Sequence, residues 1–234
     1  MAFTVQANIT PKAAVKLVVT NDIQLNCYWH NTQAMAILTE LLDMSIDEFL
    51  AIVDCISPWE QIDSATLPQF GSLETVLRVP EILVQKGVDG FTVAQLGFYL
   101  KGDINATQGA NAKFGENHGK GASFLGLACH EDGKICFSAL TGAINHVTSY
   151  ADRYAIAQRL CFRIPIVQTL LHNARYGKIN GFAPMSYLKE STQLRRAQCI
   201  KLIFKELRTL SHPELTARIN NIYWEINEGN EIEC

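Results

Sequence analysis

The chain has 234 residues, of which 48% are hydrophobic, and its formal net charge is −3 at pH 7. A chain of this length buries roughly three quarters of its unfolded surface, so one or two globular domains are expected. Its first residues lack the basic region and apolar run of a signal peptide, and no stretch nears the roughly 18 apolar residues of a membrane span. We therefore expect a cytoplasmic protein without a membrane partner.

The charges are distributed unevenly along the chain. Residues 1–74 carry two Lys or Arg and nine Asp or Glu, a net −7, whereas residues 151–213 carry eleven and three, a net +8. A basic block of this size is typical of a surface that binds a polyanion. The alternative is that the acidic segment docks on the basic block, either within one chain or in a homodimer.

Residues 1–71 are expected to form an acidic helical region. The run VKLVVT at residues 15–20 favours a short strand, and helical patterns follow over 32–43 and 45–55. Ser45 and Glu48 have the spacing of a capping box at the start of the second helix. The segment 56–72 is rich in proline and polar residues, so it is the best candidate for a domain boundary.

Residues 72–147 predict three helices and a β-hairpin. Pro80 suits the first turn of a helix that stops at Gly87, and Thr92 with Gln95 repeats the capping box. The third helix, over 110–125, is expected to be weak, because each of its glycines costs about 1 kcal/mol relative to alanine. The sequence EDGK at 131–134 is a turn that closes a hairpin.

Residues 148–234 partly repeat this order. FRIP at 162–165 and LRVP at 77–80 both precede an apolar helix, a Gly-Phe pair and a Tyr-Leu pair. An amphipathic helix is expected over 192–210, with Ser191 or Thr192 as its cap and a basic polar face. Arg196 falls on the apolar side of this helix, and no second hairpin is apparent.

The order helix, helix, helix, hairpin resembles the winged-helix and helix-turn-helix superfamily of DNA-binding domains. The sequence STQLRRAQCI at 191–200 resembles sequences found in tandem winged-helix modules of prokaryotic restriction and defence proteins. The resemblance implies an α+β, mainly α-helical fold, with a winged-helix unit at 72–147 and a helix-turn-helix or winged-helix unit at 148–234. It also implies binding of double-stranded DNA, by a regulator or by the DNA-recognition part of a restriction or defence system.

The candidate DNA contacts lie on the helix over 192–210, on the helix over 110–125 and on the hairpin. Paired arginines suit guanine or phosphate, because each guanidinium offers two parallel donors. Near the glycines of the earlier helix, backbone and side chains can approach a phosphate closely. The candidates are Thr192, Arg195, Arg196, Gln198, Lys201, Lys113, Asn117, Lys120 and the hairpin lysine Lys134.

Two other functions remain open. Glu116 and His118 suggest a metal-dependent DNA endonuclease, although a second acidic ligand is missing. A protein-interaction module that uses the acidic N-terminal region, for a homodimer or a partner subunit, is the second alternative.

No metal or cofactor is expected from the motifs. The seven cysteines include no C-x-x-C pair, which suits buried thiols without disulfides in a reducing compartment. Cys129, His130 and Cys136 cluster along the chain, but strand alternation turns the first two to opposite faces, against a zinc site. GENHGKGAS lacks the spacing of a phosphate-binding loop.

Overall fold

The computed structural model describes residues 9–23, 25, 31–87 and 90–226. These residues form a mainly helical α+β fold, as expected, with a small antiparallel sheet and a pair of parallel strands. The helices are α1 (Pro11–Thr20), α2 (Asn31–Asp43), α3 (Ile46–Asp54), α4 (Leu73–Lys86), α5 (Val93–Lys101), α6 (Gln108–Phe124), α7 (Thr141–His146), α8 (Tyr150–Leu160), α9 (Pro165–Ala174), α10 (Glu190–Arg208) and α11 (Pro213–Asn220). The strands are β1 (Gly90–Thr92), β2 (Cys129–Glu131), β3 (Lys134–Cys136), β4 (Ile179–Asn180) and β5 (Ile222–Tyr223).

The strand predicted over 15–20 is wrong, because this run belongs to helix α1. Thr10 caps the helix by accepting a hydrogen bond from the amide of Ala13, Pro11 occupies the first turn, and Asn21 ends the helix in a left-handed conformation. The buried valines of α1 lie at helical spacing and pack into the core. Packing of these valines in the core, together with the caps, has therefore overridden the weak β preference of a branched run.

Helices α2 and α3 confirm the predictions for 32–43 and 45–55, including the capping box of Ser45 and Glu48. They belong to the same hydrophobic core as the rest of the chain: Phe49 of α3 stacks on Phe162 with ring centroids 5.1 Å apart. Apolar residues on both sides of residue 72 thus share one core. The domain boundary near residue 72 stays a prediction.

Elements α4, β1, α5, α6, β2 and β3 follow one another, and the sheet has the order β1–β3–β2 with both pairs antiparallel. The hairpin closes at Asp132 and Gly133, which both have positive φ, as predicted for a D-G turn. The second capping box, Thr92 with Gln95, is also confirmed. Pro80 does not lie in a first turn, because Ser72 caps α4 and the helix continues through the proline.

Helix α6 is continuous over 17 residues despite its glycines. Its glycines allow two helix backbones to come close: a Cβ at Gly115 would collide with the backbone of Val93 and Gly97, and one at Gly97 with the backbone of Asn111. The intrinsic cost of glycine is thus offset by packing of α6 against α5. The polar side of α6 faces away from this contact.

In the second half, α8 ends at a short 3-10 turn and α9 begins with Pro165 in its first turn, as predicted. Helix α10 begins earlier than expected: Lys189 is its N-cap residue and Ser191 and Thr192 lie inside the helix, so neither caps it. Between α9 and α10, β4 pairs in parallel with β5, which follows α11. A parallel pair of this kind is not a hairpin.

Buried polar side chains join the N-terminal helices to the rest of the molecule. The Arg163 side chain, 8% exposed, donates hydrogen bonds to the carbonyl oxygens of Val18 in α1 and of Ser123 and Phe124 at the end of α6. Burial lowers the pKa of this guanidinium to about 10. One side chain therefore satisfies the last carbonyl groups of two helices that are far apart in sequence.

The acidic N-terminal region also forms ion pairs with the second half of the chain. Asp54 pairs with Arg218 at 2.6 Å and with Arg175 at 3.1 Å, and Asp47 lies 3.2 Å from His212. Arg175 and His212 belong to the basic block at 151–213, so these two contacts support the alternative in which the acidic segment docks on that block within one chain. In the described part of the chain, none of the helices is long and apolar enough to cross a bilayer.

Candidate nucleic-acid interface

Two of the helices predicted to contact DNA lie on one groove. Asn117 of α6 and Arg195 and Gln198 of α10 line it together with residues 69–71, which lead into α4. The groove has a volume of about 400 Å³. The fold thus brings together candidates that are separated by about 80 residues in the sequence.

Arg195 is the cation of this groove. It is exposed, and among the described residues its guanidinium has no hydrogen-bond or ion-pair partner. Gln198, one turn further along α10, is also exposed, whereas Thr192 is half-buried in the first turn. Arg195 and Gln198 therefore offer parallel donors and an amide to a ligand, while Thr192 has only limited access to one.

Arg196, which was predicted as a candidate DNA contact on the apolar side of the helix, has a structural position. Its side chain is 9% exposed and donates hydrogen bonds to the carbonyl oxygens of Leu67 at 2.9 Å and Ser64 at 3.1 Å. Gln69, with its amide oriented so that the carbonyl oxygen faces Arg196, accepts from the same guanidinium. Arg196 therefore fixes segment 64–69 between α6 and α10, as its place on the apolar side of the helix allows.

A smaller cavity of about 40 Å³ adjoins the groove and is lined in part by segment 64–69. Glu116, Asn117 and Lys120 of α6 line it together with Arg196. Asn117 lines both spaces, so the groove and the cavity are neighbours on one surface.

The lysines of α6 are held by one carboxylate. Glu116 lies 3.1 Å from Nζ of Lys113 and 2.8 Å from Nζ of Lys120, and these two hydrogen bonds lower the pKa of Glu116 to about 2. The three side chains carry a net charge of +1 over about two helical turns. We refer to Lys113, Asn117, Lys120, Arg195 and Gln198 as the α6–α10 face.

The other two candidate lysines lie outside the groove. Lys134 is exposed at the start of β3, beside the turn of the hairpin. Lys201 is exposed on α10 with its Nζ 5.2 Å from the ring centroid of Trp224. This cation–π contact orients Lys201, and no sequence pattern predicts it.

Four arginines of residues 151–213 form ion pairs or hydrogen bonds with other parts of the protein. Arg153 is paired with Glu81 and Arg175 with Asp54, while Arg163 and Arg196 are bonded to backbone carbonyl groups. The surface of this block is therefore less basic than its net +8 suggests.

The geometry of α6 gives no support to an endonuclease site at Glu116 and His118. His118 is 5% exposed with its Nδ1 2.9 Å from the carbonyl oxygen of Phe114, and burial lowers its pKa. Glu116 is engaged with two lysines instead. Across the described residues there is no cluster of three His, Cys, Asp or Glu side chains that could hold a metal ion.

Gln69 and Leu67 belong to the site, but sequence analysis missed them. They lie in the segment that was interpreted as a boundary between domains, and nothing in its composition indicates contact with α10. No protein-family model matches the chain, and comparisons with curated proteins and with solved structures likewise find no significant match.

Proposed function

We propose that the protein binds double-stranded DNA through the α6–α10 face, as a regulator or as the DNA-recognition part of a restriction or defence system. The observation that carries the proposal is the shared groove, where Asn117 of α6 meets Arg195 and Gln198 of α10. Guanidinium groups suit guanine edges and phosphates, and carboxamides suit adenine edges. A groove lined by both types of side chain therefore fits a nucleic-acid ligand better than an apolar one.

The arrangement of elements from α4 to β3 supports the proposal. Three helices followed by a hairpin, with a short strand between the first two helices and the sheet order β1–β3–β2, are the elements of a winged-helix unit. In such a unit α6 is the recognition helix and the β2–β3 hairpin, with Lys134, is the wing. The second expected unit has less support, because β4 and a 3-10 turn separate α9 from α10.

The chemistry of α6 also fits this role. Its glycine-lined side packs against α5, so Lys113, Asn117 and Lys120 remain on the opposite side. Lysines that are partly neutralised by Glu116 attract phosphate less strongly than unpaired ones, while the carboxamide of Asn117 suits an adenine edge. We therefore expect moderate affinity with a contribution from base contacts.

A gel-shift panel of duplex DNA, single-stranded DNA and RNA, with and without Mg²⁺, tests the proposal directly. A retarded, intact duplex supports it. Cleavage that requires Mg²⁺ would favour the nuclease instead, and the absence of any shift would favour a protein-interaction module.

Variants of α10 then locate the surface. Arg195→Ala removes the exposed cation of the groove, while Lys205→Ala removes an exposed cation ten residues further along the same helix, about 15 Å away. If Arg195 contacts a base, we expect Arg195→Ala to weaken duplex binding by about 1–3 kcal/mol. If it contacts only a phosphate, we expect the slope of log affinity against log salt concentration to fall by about one. Equal effects of the two variants would contradict the assignment of the groove.

A further inference from the structure

A second pocket lies between α5 and the start of α6, away from the groove described above. It has a volume of about 320 Å³, at the lower end of the range for small-molecule sites. Its lining includes Phe98 and Tyr99 of α5 and three carboxamide side chains, those of Gln95, Gln108 and Asn111. We refer to it as the α5–α6 pocket.

The aromatic side of the pocket is unusually exposed for such large rings. Phe98 is 42% and Tyr99 is 37% exposed, and the two rings contact each other edge to face with centroids 5.5 Å apart. Nζ of Lys86, at the end of α4, lies 4.7 Å from the centroid of the Tyr99 ring. The pocket thus combines aromatic surface for stacking with a cation at its rim.

The polar side of the pocket has hydrogen-bonding groups that the protein does not satisfy. Asn111 is 6% exposed, yet its Oδ1 has no hydrogen-bond partner among the described residues. Gln95 uses its Oε1 to accept from the backbone and hydroxyl of Thr92, which leaves its Nε2 as a donor. Because the Oδ1 of Asn111 is itself buried, the group that this wall offers to a ligand is the Nε2 of Gln95.

The walls of the pocket cannot slide past each other. Helices α5 and α6 pack backbone to backbone at Gly97 and Gly115, where any side chain would collide with the facing helix. The pocket is therefore formed before a ligand arrives, and little ordering is required on binding.

We propose that the α5–α6 pocket binds a heteroaromatic base that carries a phosphate group, either as a free mononucleotide or as one nucleotide of a single strand. The base stacks on Phe98, as bases do on exposed aromatic side chains, and its edge contacts Tyr99, whose ring is tilted by 73° to that of Phe98. The edge of the base accepts a hydrogen bond from the Nε2 of Gln95, and Gln108 adds a second carboxamide to the same lining. Lys86 contacts the phosphate.

Calorimetric titration of the full chain with the 5′-mononucleotides of adenine, guanine, cytosine and uracil, with the matching nucleosides and with short single-stranded oligonucleotides tests this inference. We expect Phe98→Ala to weaken the binding of the preferred ligand by about tenfold, since one stacked base is lost. Lys86→Gln should weaken binding of the nucleotide and leave binding of the nucleoside unchanged. If an oligonucleotide binds more tightly than its mononucleotide, the base comes from a single strand. If the mononucleotide binds more tightly, the ligand is a free nucleotide.

The matched control is Tyr176→Ala, which removes a ring that is 74% exposed just after α9. No binding of any of these probes, or equal weakening by Phe98→Ala and Tyr176→Ala, would overturn the proposal. Duplex binding by Phe98→Ala should equal that of the unmodified protein, so failure at this pocket is distinguishable from failure of the proposed DNA interface.

Discussion

Asp54 and Arg218 form a two-point ion pair that joins α3 to α11 across 164 residues of sequence, with Nη1 to Oδ1 at 2.6 Å and Nη2 to Oδ2 at 3.0 Å. Arg218 is only 5% exposed, and Glu214 and Asp54 together raise its pKa although burial opposes them. The pair connects the acidic N-terminal region to the last helix. Its carboxylate therefore contributes to the stability of the whole chain.

We predict that Asp54→Ala lowers the free energy of unfolding by about 3 kcal/mol, because it leaves a buried guanidinium with less compensation. Urea denaturation measures the change. Asp47→Asn is the matched control, since the Asp47 side chain is 76% exposed and its contact with His212 lies at the surface. We expect it to change stability by less than about 0.5 kcal/mol. A loss of less than about 1 kcal/mol in Asp54→Ala would contradict the structural role of the pair.

The adjacent arginines of α10 should behave differently. Arg196→Met is expected to destabilise the protein by about 2–3 kcal/mol, because the carbonyl groups of Leu67 and Ser64 lose a charged donor. Arg195→Ala should leave the free energy of unfolding within about 0.5 kcal/mol of the original value, since its side chain is exposed. Thermal and urea denaturation of both variants check the contrast. Equal stabilities for the two would show that Arg196 does not hold segment 64–69.

The glycines of α6 should respond in opposite directions. Gly115→Ala places a Cβ against the backbone of Val93 and Gly97, so we expect a loss of about 3 kcal/mol or failure to fold. Gly109→Ala is the control: no atom lies near its Cβ, and the alanine should stabilise the exposed first turn by about 0.5 kcal/mol. Denaturation midpoints provide the measurement. If Gly115→Ala were as stable as Gly109→Ala, the close contact between α5 and α6 would be wrong.

His118 predicts a dependence of stability on pH. Burial lowers its pKa in the folded protein below the ordinary value of 6.5, so the unfolded chain binds a proton more readily. The stability associated with a neutral His118 is therefore fully present above pH 6.5 and is lost as the pH falls below that value towards the folded pKa. His118→Gln should remove this part of the pH dependence.

Urea denaturation of the original protein and of His118→Gln measures how the free energy of unfolding depends on pH. The range from about pH 7.5 to about pH 5 includes the ordinary histidine pKa of about 6.5. Parallel stability curves for the original protein and the variant would show that His118 does not change its charge on unfolding in this range.

The parts of the fold that follow from local chemistry could be predicted from the sequence. The capping boxes at Ser45 and Thr92 and the turn at Asp132 and Gly133 each depend on residues within a few positions of one another. The strand over 15–20 was wrong because the preference of β-branched residues is weak and tertiary packing decides it.

The candidate site was only partly predictable. Asn117, Arg195 and Gln198 were found from helix periodicity, because the exposed side of an amphipathic helix is visible in the sequence. The hydrogen bond from Arg196 to Leu67 spans 129 residues, and no local pattern indicates it. The role of Gln69 was invisible for the same reason.

Segment 64–69, fixed between α6 and α10 by Arg196, acts as a spacer that sets how far apart the two helices stand. The groove therefore has a fixed width. Movement of α10 towards α6 to fit a ligand of another shape would break the buried hydrogen bonds of Arg196. Selection among ligands at this face therefore depends on dimensions as well as on charge. Replacement of Arg196, whose buried guanidinium holds this segment, would therefore alter which partners fit.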